Sequence, residues 1–310
     1  MGQKMFDAVG LLKRLEHPQG PVDVVLDTDT YNEIDDQFAL AYLIRSGDKL
    51  NLKAIYAAPF FNSRVESPRE GMEKSHAEIM NVLSLMGEEA LKAEVYRGSG
   101  TYLPDETTPV ISDAAKDLAK RAMRYTPEKP LYVIAIAAIT NVASALLLKP
   151  EIADRMVVVW LGGHSFEWDD NREFNLYQDV AGARVLLDSG AAVVLLPCNG
   201  VVSAFATTKY ELEHWLKEKN PLCDYLVQVT CDEAKESRRG RCWSKPIWDV
   251  TAVAWLLDGF MRDRLEAAPI PEYDHRWAFS KVRHPIRYVY HINRDRLMED
   301  LFQKLSGQEK

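Results

Sequence analysis

Five short apolar, β-branched runs punctuate the chain: VDVVLDT from Val22, LKAIYAA from Leu52, LYVIAIA from Leu131, MVVVWLGG from Met156 and AVVLLPCN from Ala192. None sustains the strict apolar/polar alternation of a half-exposed strand, so each reads as a strand buried on both faces of a parallel sheet. Between them lie stretches with helical spacing: IDDQFALAYLIRSG from Ile34, SHAEIMNVLSLMG from Ser75, SDAAKDLAKRAMRY from Ser112 and DVAGARVLLDSG from Asp179. Ser112 and Asp179 stand where an N-cap accepts hydrogen bonds from the free amides of a first helical turn. The alternation of strand and helix predicts an α/β fold with an open, mostly parallel central sheet flanked by helices. The segment from Glu211 to Lys245 and the tail from Asp263 onward are denser in charge and are expected to lie peripheral to that sheet.

Composition narrows the partners. The 310 residues are 47% hydrophobic and 27% charged, enough to bury a sizeable core, and one domain spanning 1–310 is the simplest reading. A formal net charge of -8 leaves no basic excess to neutralise phosphates, so a nucleic-acid backbone is excluded as a partner and a small polar substrate fits better. The four cysteines form no CxxC pair and read as reduced thiols. No stretch approaches the roughly 20 apolar residues of a membrane helix. The first twenty residues lack a signal-peptide hydrophobic region, so cytoplasmic residence without a membrane partner is expected.

In open α/β sheets ligands bind beyond the carboxyl ends of the strands, which directs attention to the residues after each apolar run. After the first run, Asp27, Asp29, Glu33, Asp35 and Asp36 crowd into ten residues where a strand gives way to a helix. Like charges this close raise one another's pKa unless a cation neutralises them, and carboxylate oxygens suit Ca²⁺ or Mg²⁺ rather than zinc. A helix N-terminus also favours negative charge, and for Glu33 alone such a capping role is the better reading. A DxD after a first strand also opens the haloacid-dehalogenase phosphatases, but the adjacent Asp35-Asp36 pair at the helix start argues for metal and ribose.

With that pair the chain resembles the inosine-uridine nucleoside hydrolases, whose first strand runs into D-x-D-P-G-x-D-D and a helix. Asp27-Thr28-Asp29 and Asp35-Asp36 match, while Thr30-Tyr31-Asn32-Glu33 replaces the Pro-Gly turn and is two residues longer. The resemblance continues in order to about Trp255. Asn62, in AAPFFN, falls where the family places an active-site Asn, although a lone loop Asn is usually a turn residue. Thr140-Asn141 match the family's L-T-N-I-A and are themselves read as helix caps, and Ile136 falls where the family donates a backbone carbonyl to Ca²⁺. Glu173-Phe174-Asn175 match E-F-N, with Glu167-Trp168 where the family often has an Asn; Asp249 matches the distal metal-binding Asp, with Trp248 in place of the usual His.

The resemblance implies Ca²⁺-dependent hydrolysis of the N-glycosidic bond of a ribonucleoside, giving ribose and a free base for purine or pyrimidine salvage. It assigns Ca²⁺ to Asp29, Asp36, Asp249 and the Ile136 carbonyl, the general base to Asp29, and ribose hydroxyls to Asp35, Asn62, Glu173 and Asn175. For Trp248 two readings stay open: a platform for the leaving base, or a core residue beside Trp255. A dimer or tetramer is implied as well. A different class of protein, a non-catalytic ribose- or nucleoside-binding protein, draws support from the missing His and is opposed by the intact Asp29. The family's long loop after the third strand is cut to TYLPDETTPVI, so the pocket is expected to be more open, or covered by another chain or by the segment around Arg238, Arg239 and Arg241. Those arginines are by default solvated surface charges.

Overall fold

A computed structural model describes residues 8–238, 241–257 and 259–307. The five apolar runs become strands β1 (Val22–Thr28), β2 (Leu50–Ala57), β4 (Leu131–Ala135), β5 (Met156–Leu161) and β6 (Ala192–Leu196), and a short strand outside those runs, β3 (Val95–Arg97), follows β2. Further along follow β7 (Ala206–Thr207), β8 (Lys245–Pro246), β9 (Met261–Ala267), β10 (Ile270–Pro271), β11 (Trp277–Ala278) and β12 (Pro285–Ile292). Eight of them form one sheet in the order β3-β2-β1-β4-β5-β6-β12-β9, parallel throughout except for the β12–β9 pair. β7 pairs with β8, and β10 with β11, as separate two-stranded ribbons.

Strand periodicity sorts the core into two layers, because successive side chains point to opposite faces of a sheet. Val24, Leu26, Val157, Val159, Val194 and Leu196 pack on one face, under helices Asp35–Arg45 and Arg294–Ser306. Val25, Val133, Val158, Trp160, Val193 and Leu195 pack on the other, under helices Asp113–Ala122 and Val180–Asp188. Each such Val or Leu contributes about 1.5–3 kcal/mol on leaving water. β4, β5 and β6 are buried along their whole length, which is why they read as unbroken apolar runs.

Two expectations are corrected. The tail after Asp263 is not peripheral: β12 sits between β6 and β9, and β9 closes the sheet as an edge strand. Its sequence, MRDRLEA, is charged because an edge strand faces water and charged side chains discourage pairing with another chain. The helix expected from Ser75 begins a full two turns earlier, at Pro68, where Ser67 accepts a hydrogen bond from Glu70 N (3.2 Å) and Pro68 tolerates the first helical position. Ser112 and Asp179 do cap their helices, accepting from Ala115 N and Gly182 N. Helices Lys209–Trp215 and Pro221–Arg238, which make up most of the described part of the segment from Glu211 to Lys245, stay off the main sheet, but Leu212, Leu222 and Leu226 join the first core layer. Arg239 and the side chain of Arg238 lie outside the described residues; Arg241 is exposed.

The strand order reverses direction between β1 and β4, and at such a point the connecting loops diverge and leave a crevice beyond the carboxyl ends of the strands.

Candidate active site

That crevice is a cavity of about 210 Å³. Its wall brings together residues from both ends of the chain: Asp29, Asn32, Glu33, Asp35 and Asp36 after β1, Ile136 after β4, His164, Arg172, Glu173 and Asn175 after β5, Cys198 and Asn199 after β6, and Trp248 and Asp249.

The floor is acidic and buried. Asp29, Asp35, Asp36 and Asp249 are each 5% exposed or less. Asp35 and Asp36 form the first turn of helix Asp35–Arg45, where the helix dipole favours them. Thr28 donates to Asp36 (2.5 Å) and the Asp249 amide donates to Asp35 (3.3 Å). One oxygen from each of Asp35, Asp36 and Asp249 lies within 4.8 Å of the others, an arrangement that could hold a metal ion. Asp29 Oδ2 is buried without a hydrogen-bond partner. Burial pushes all four carboxyls up; repulsion from neighbouring floor aspartates raises Asp29, Asp36 and Asp249 further, and Asp35, raised also by Glu33 and lowered by Lys245, reaches about 7. An orphaned carboxylate oxygen beside three converging ones is an all-oxygen donor set, and it fits a hard divalent cation.

Glu173 occupies an N-cap. Its carboxylate accepts from the amides of Asn175 (3.0 Å), Leu176 (2.9 Å) and Gly163 (2.8 Å), yet complete burial still raises its pKa to about 7. Asn175 donates to the Leu161 carbonyl (3.0 Å), which fixes its amide on the wall. Gly163 has φ +76°, and a Cβ there would come within 2.4 Å of the Trp277 ring, so this turn requires glycine.

Sequence and structure differ at several positions. Asn62 does not line the cavity: it donates to the Asn32 side chain (2.8 Å), accepts from Arg64 N (2.9 Å), and leaves Asn32 facing inward. Thr140 and Asn141 are not helix caps; the cap position falls on Ile139, which makes no side-chain bond. Thr140 donates to Asp179 (2.5 Å), and the buried Asn141 donates to Asp27 (2.8 Å) and accepts from Ser99 N (2.8 Å), tying three strand ends together. Glu33 is no cap either: it lines the cavity and forms an ion pair with Lys245, whose ammonium also reaches Glu233 (2.9 Å) and lies 4.8 Å over the Trp248 ring. The longer loop carries Glu33 there. Trp248 lines the cavity and also packs against the first core layer.

His164, Arg172 and Asn199 also line the cavity though no sequence motif singles them out, and with them come Asn32 from the lengthened loop and the thiol of Cys198. His164 and the Cys198-Asn199 pair follow apolar strands, so the carboxyl-end rule was the available signal.

The inosine-uridine preferring nucleoside hydrolase family profile matches residues 24–298, so the chain belongs to that family. It is 26% identical over 164 residues to the pyrimidine-specific ribonucleoside hydrolase RihA of Salmonella newport, an overlap of 51% of this chain and 52% of that protein. The chain thus spans about half the length of the curated relatives it matches. In fold it is similar to a plant nucleoside hydrolase (TM-score 0.74, 17% identity, 92% of this chain and 99% of that one). It is similar as well to the purine-preferring ribonucleoside hydrolase of Gardnerella vaginalis (0.74, 18%, 92% and 98%). The type III effector XopQ, solved with adenosine diphosphate ribose, shares the fold too (0.64, 16%, 96% and 98%). No helix among the described residues is long and apolar enough to cross a membrane, and the four cysteines are unpaired.

Proposed function

We propose that this chain is an N-ribohydrolase that cleaves the N-glycosidic bond of a ribonucleoside to ribose and free base, with Ca²⁺ as its cofactor. The observation that carries this reading is the convergence of Asp29, Asp35, Asp36 and Asp249 on one buried floor beside Glu173 and Asn175. Glycosidic cleavage passes through an oxocarbenium-like sugar, so a catalyst must stabilise positive charge at C1′, deliver water and let the base depart. A negatively charged floor beneath the sugar meets the first need.

Asp29, Asp36, Asp249 and the Ile136 carbonyl would hold the cation, which when bound supplies Lewis-acid charge that acidifies the attacking water. Asp29, with an oxygen free of protein partners, takes the proton from that water. Asp35, Glu173 and Asn175 hold the ribose hydroxyls, and Asn62 acts behind them by orienting Asn32. Glu173 spends most of its acceptor capacity on three amides, which fixes its position before substrate arrives. Trp248 offers an aromatic wall for the base. We further read the chain as one domain acting in the cytoplasm in nucleoside salvage, as a homo-oligomer without nucleic acid.

The test is release of reducing sugar from a panel of purine and pyrimidine nucleosides and adenosine diphosphate ribose, with Ca²⁺ and with chelator. Calcium-dependent release from any of them supports the reading. Ribose binding without release would instead favour a non-catalytic sugar-binding protein, the reading to which the absent His before Asp249 lends weight.

A further inference from the structure

Departure of the base is left without a hydrogen-bond donor to take up its developing charge. Trp248 stands where the resemblance expects a His, and an indole N–H, here buried and without a partner, gives up no proton near neutral pH. The cavity wall does carry one imidazole, that of His164.

His164 is built into its position. It follows the Gly162-Gly163 turn at the end of β5; its amide donates to Asn171 Oδ1 (2.8 Å) and its carbonyl accepts from the Trp277 indole (3.0 Å). The residue is 7% exposed, and its ring lies tilted against Trp168, 5.9 Å between centroids. The Asn199 backbone amide donates to Nδ1 (3.3 Å). A neutral imidazole that accepts at Nδ1 carries its proton on Nε2. Nε2 lies 3.3 Å from the Asn199 side-chain nitrogen; two donors cannot bond, and the amide turned over presents Oδ1 instead, a long contact that a better acceptor displaces. Desolvation holds the imidazole below its ordinary pKa, which keeps the ring a neutral donor at neutral pH. Of the charged groups nearby, Asp170 alone raises it.

We propose that His164 donates a hydrogen bond from Nε2 to an acceptor atom of the departing nucleobase and stabilises the negative charge that gathers there. This rests on the hydrolase reading above. As the water oxygen bonds to C1′, the electron pair of the C1′–N bond passes to the base and a water proton passes to Asp29. His164 keeps its proton, and solvent protonates the released base. A fixed donor aimed at developing charge in a water-poor site acts selectively on the transition state.

The experiment uses the Ca²⁺-loaded full chain and two leaving groups: the bases of inosine and uridine, and p-nitrophenolate from p-nitrophenyl β-ribofuranoside, which already delocalises its charge. Asn at 164 keeps an acceptor near the Nδ1 position but removes the Nε2 donor; Gln restores a donor near Nε2. H164N is expected to lower kcat on the nucleosides by about 10²–10³ and on the aryl riboside by less than about tenfold, with H164Q recovering much of the loss. A purely structural role would slow both substrates alike, and equal slowing overturns the assignment, as does no slowing of either. Should H164N fail to fold, ¹⁵N NMR of the wild-type protein decides: the Nε2 resonance shifts when excess free base binds, and an unmoved resonance also overturns the proposal. If wild-type protein cleaves neither class of riboside, the hydrolase reading falls and this assignment with it. Cleavage of both that H164N leaves at wild-type rates removes His164 alone.

Discussion

Raising the pH of the metal-free protein should destabilise it, and Glu173 makes the size of the effect calculable. Its carboxyl is fully buried and its pKa rises from 4.5 to about 7. The folded state therefore holds a proton that the unfolded chain has released, so stability falls as pH rises from the unfolded value through the folded one. A shift of this size amounts to about 3 kcal/mol in all, of which about 2–3 kcal/mol falls between pH 5 and pH 8. Asp27, raised from 3.8 to about 7 by burial against the opposing bond from Asn141, adds a loss of the same sign. The floor carboxyls of Asp29, Asp36 and Asp249, all raised, act in the same direction. Denaturant unfolding in chelator at pH 5, 6, 7 and 8 measures the slope. Glu173→Gln should remove its share. Saturating Ca²⁺ should flatten the part due to the floor, because a cation makes the ionised carboxylates the favoured form, and binding at pH 7 should release protons. Metal-free stability that is flat or rises from pH 5 to 8, or a slope untouched by Glu173→Gln, would refute the reasoning.

Asp29→Asn should leave ribose binding within a few-fold of wild type while cutting turnover by about 10²–10⁴, as read by sugar release beside calorimetric titration with ribose. Asp249→Asn and Asp36→Asn should each lower bound Ca²⁺ in metal analysis; an equal loss in Asp35→Asn would move Asp35 from sugar contact to metal ligand, as its place among the three converging oxygens allows. Asn141→Leu strands Asp27 and the Ser99 amide in a dry interior, which should cost about 2–6 kcal/mol in denaturant unfolding at about 1–3 kcal/mol per unpaired group. Trp248→Ala should reduce kcat/KM most for large aromatic bases with Ca²⁺ content unchanged; loss of stability and metal together would make its core contacts its main role.

Much of this protein was legible before folding because its strands bury both faces. β4, β5 and β6 announce themselves as unbroken apolar runs and β1 as an apolar run interrupted by Asp23 and Asp27, and the rule that ligands lie past their carboxyl ends leads straight to Asp29, Asp35, Asp36 and Glu173. Side-chain charge is likewise local information: five carboxylates in ten residues demand compensation wherever the chain goes. What sequence cannot carry is who meets whom across the sheet. β9 looks like a solvent segment because half its surface is solvent; only pairing with β12 makes it a strand. Thr140 and Asn141 sit at a helix start, where capping is the local solution, but Asp179 and Asp27 approach from 39 and 114 residues away and claim their side chains. Glu33 passes for a cap until Lys245, 212 residues on, pairs with it and lies over Trp248. Residue type fixes what each group can donate, accept or ionise, whereas partners separated by this much chain are brought together only by packing the two layers against the sheet.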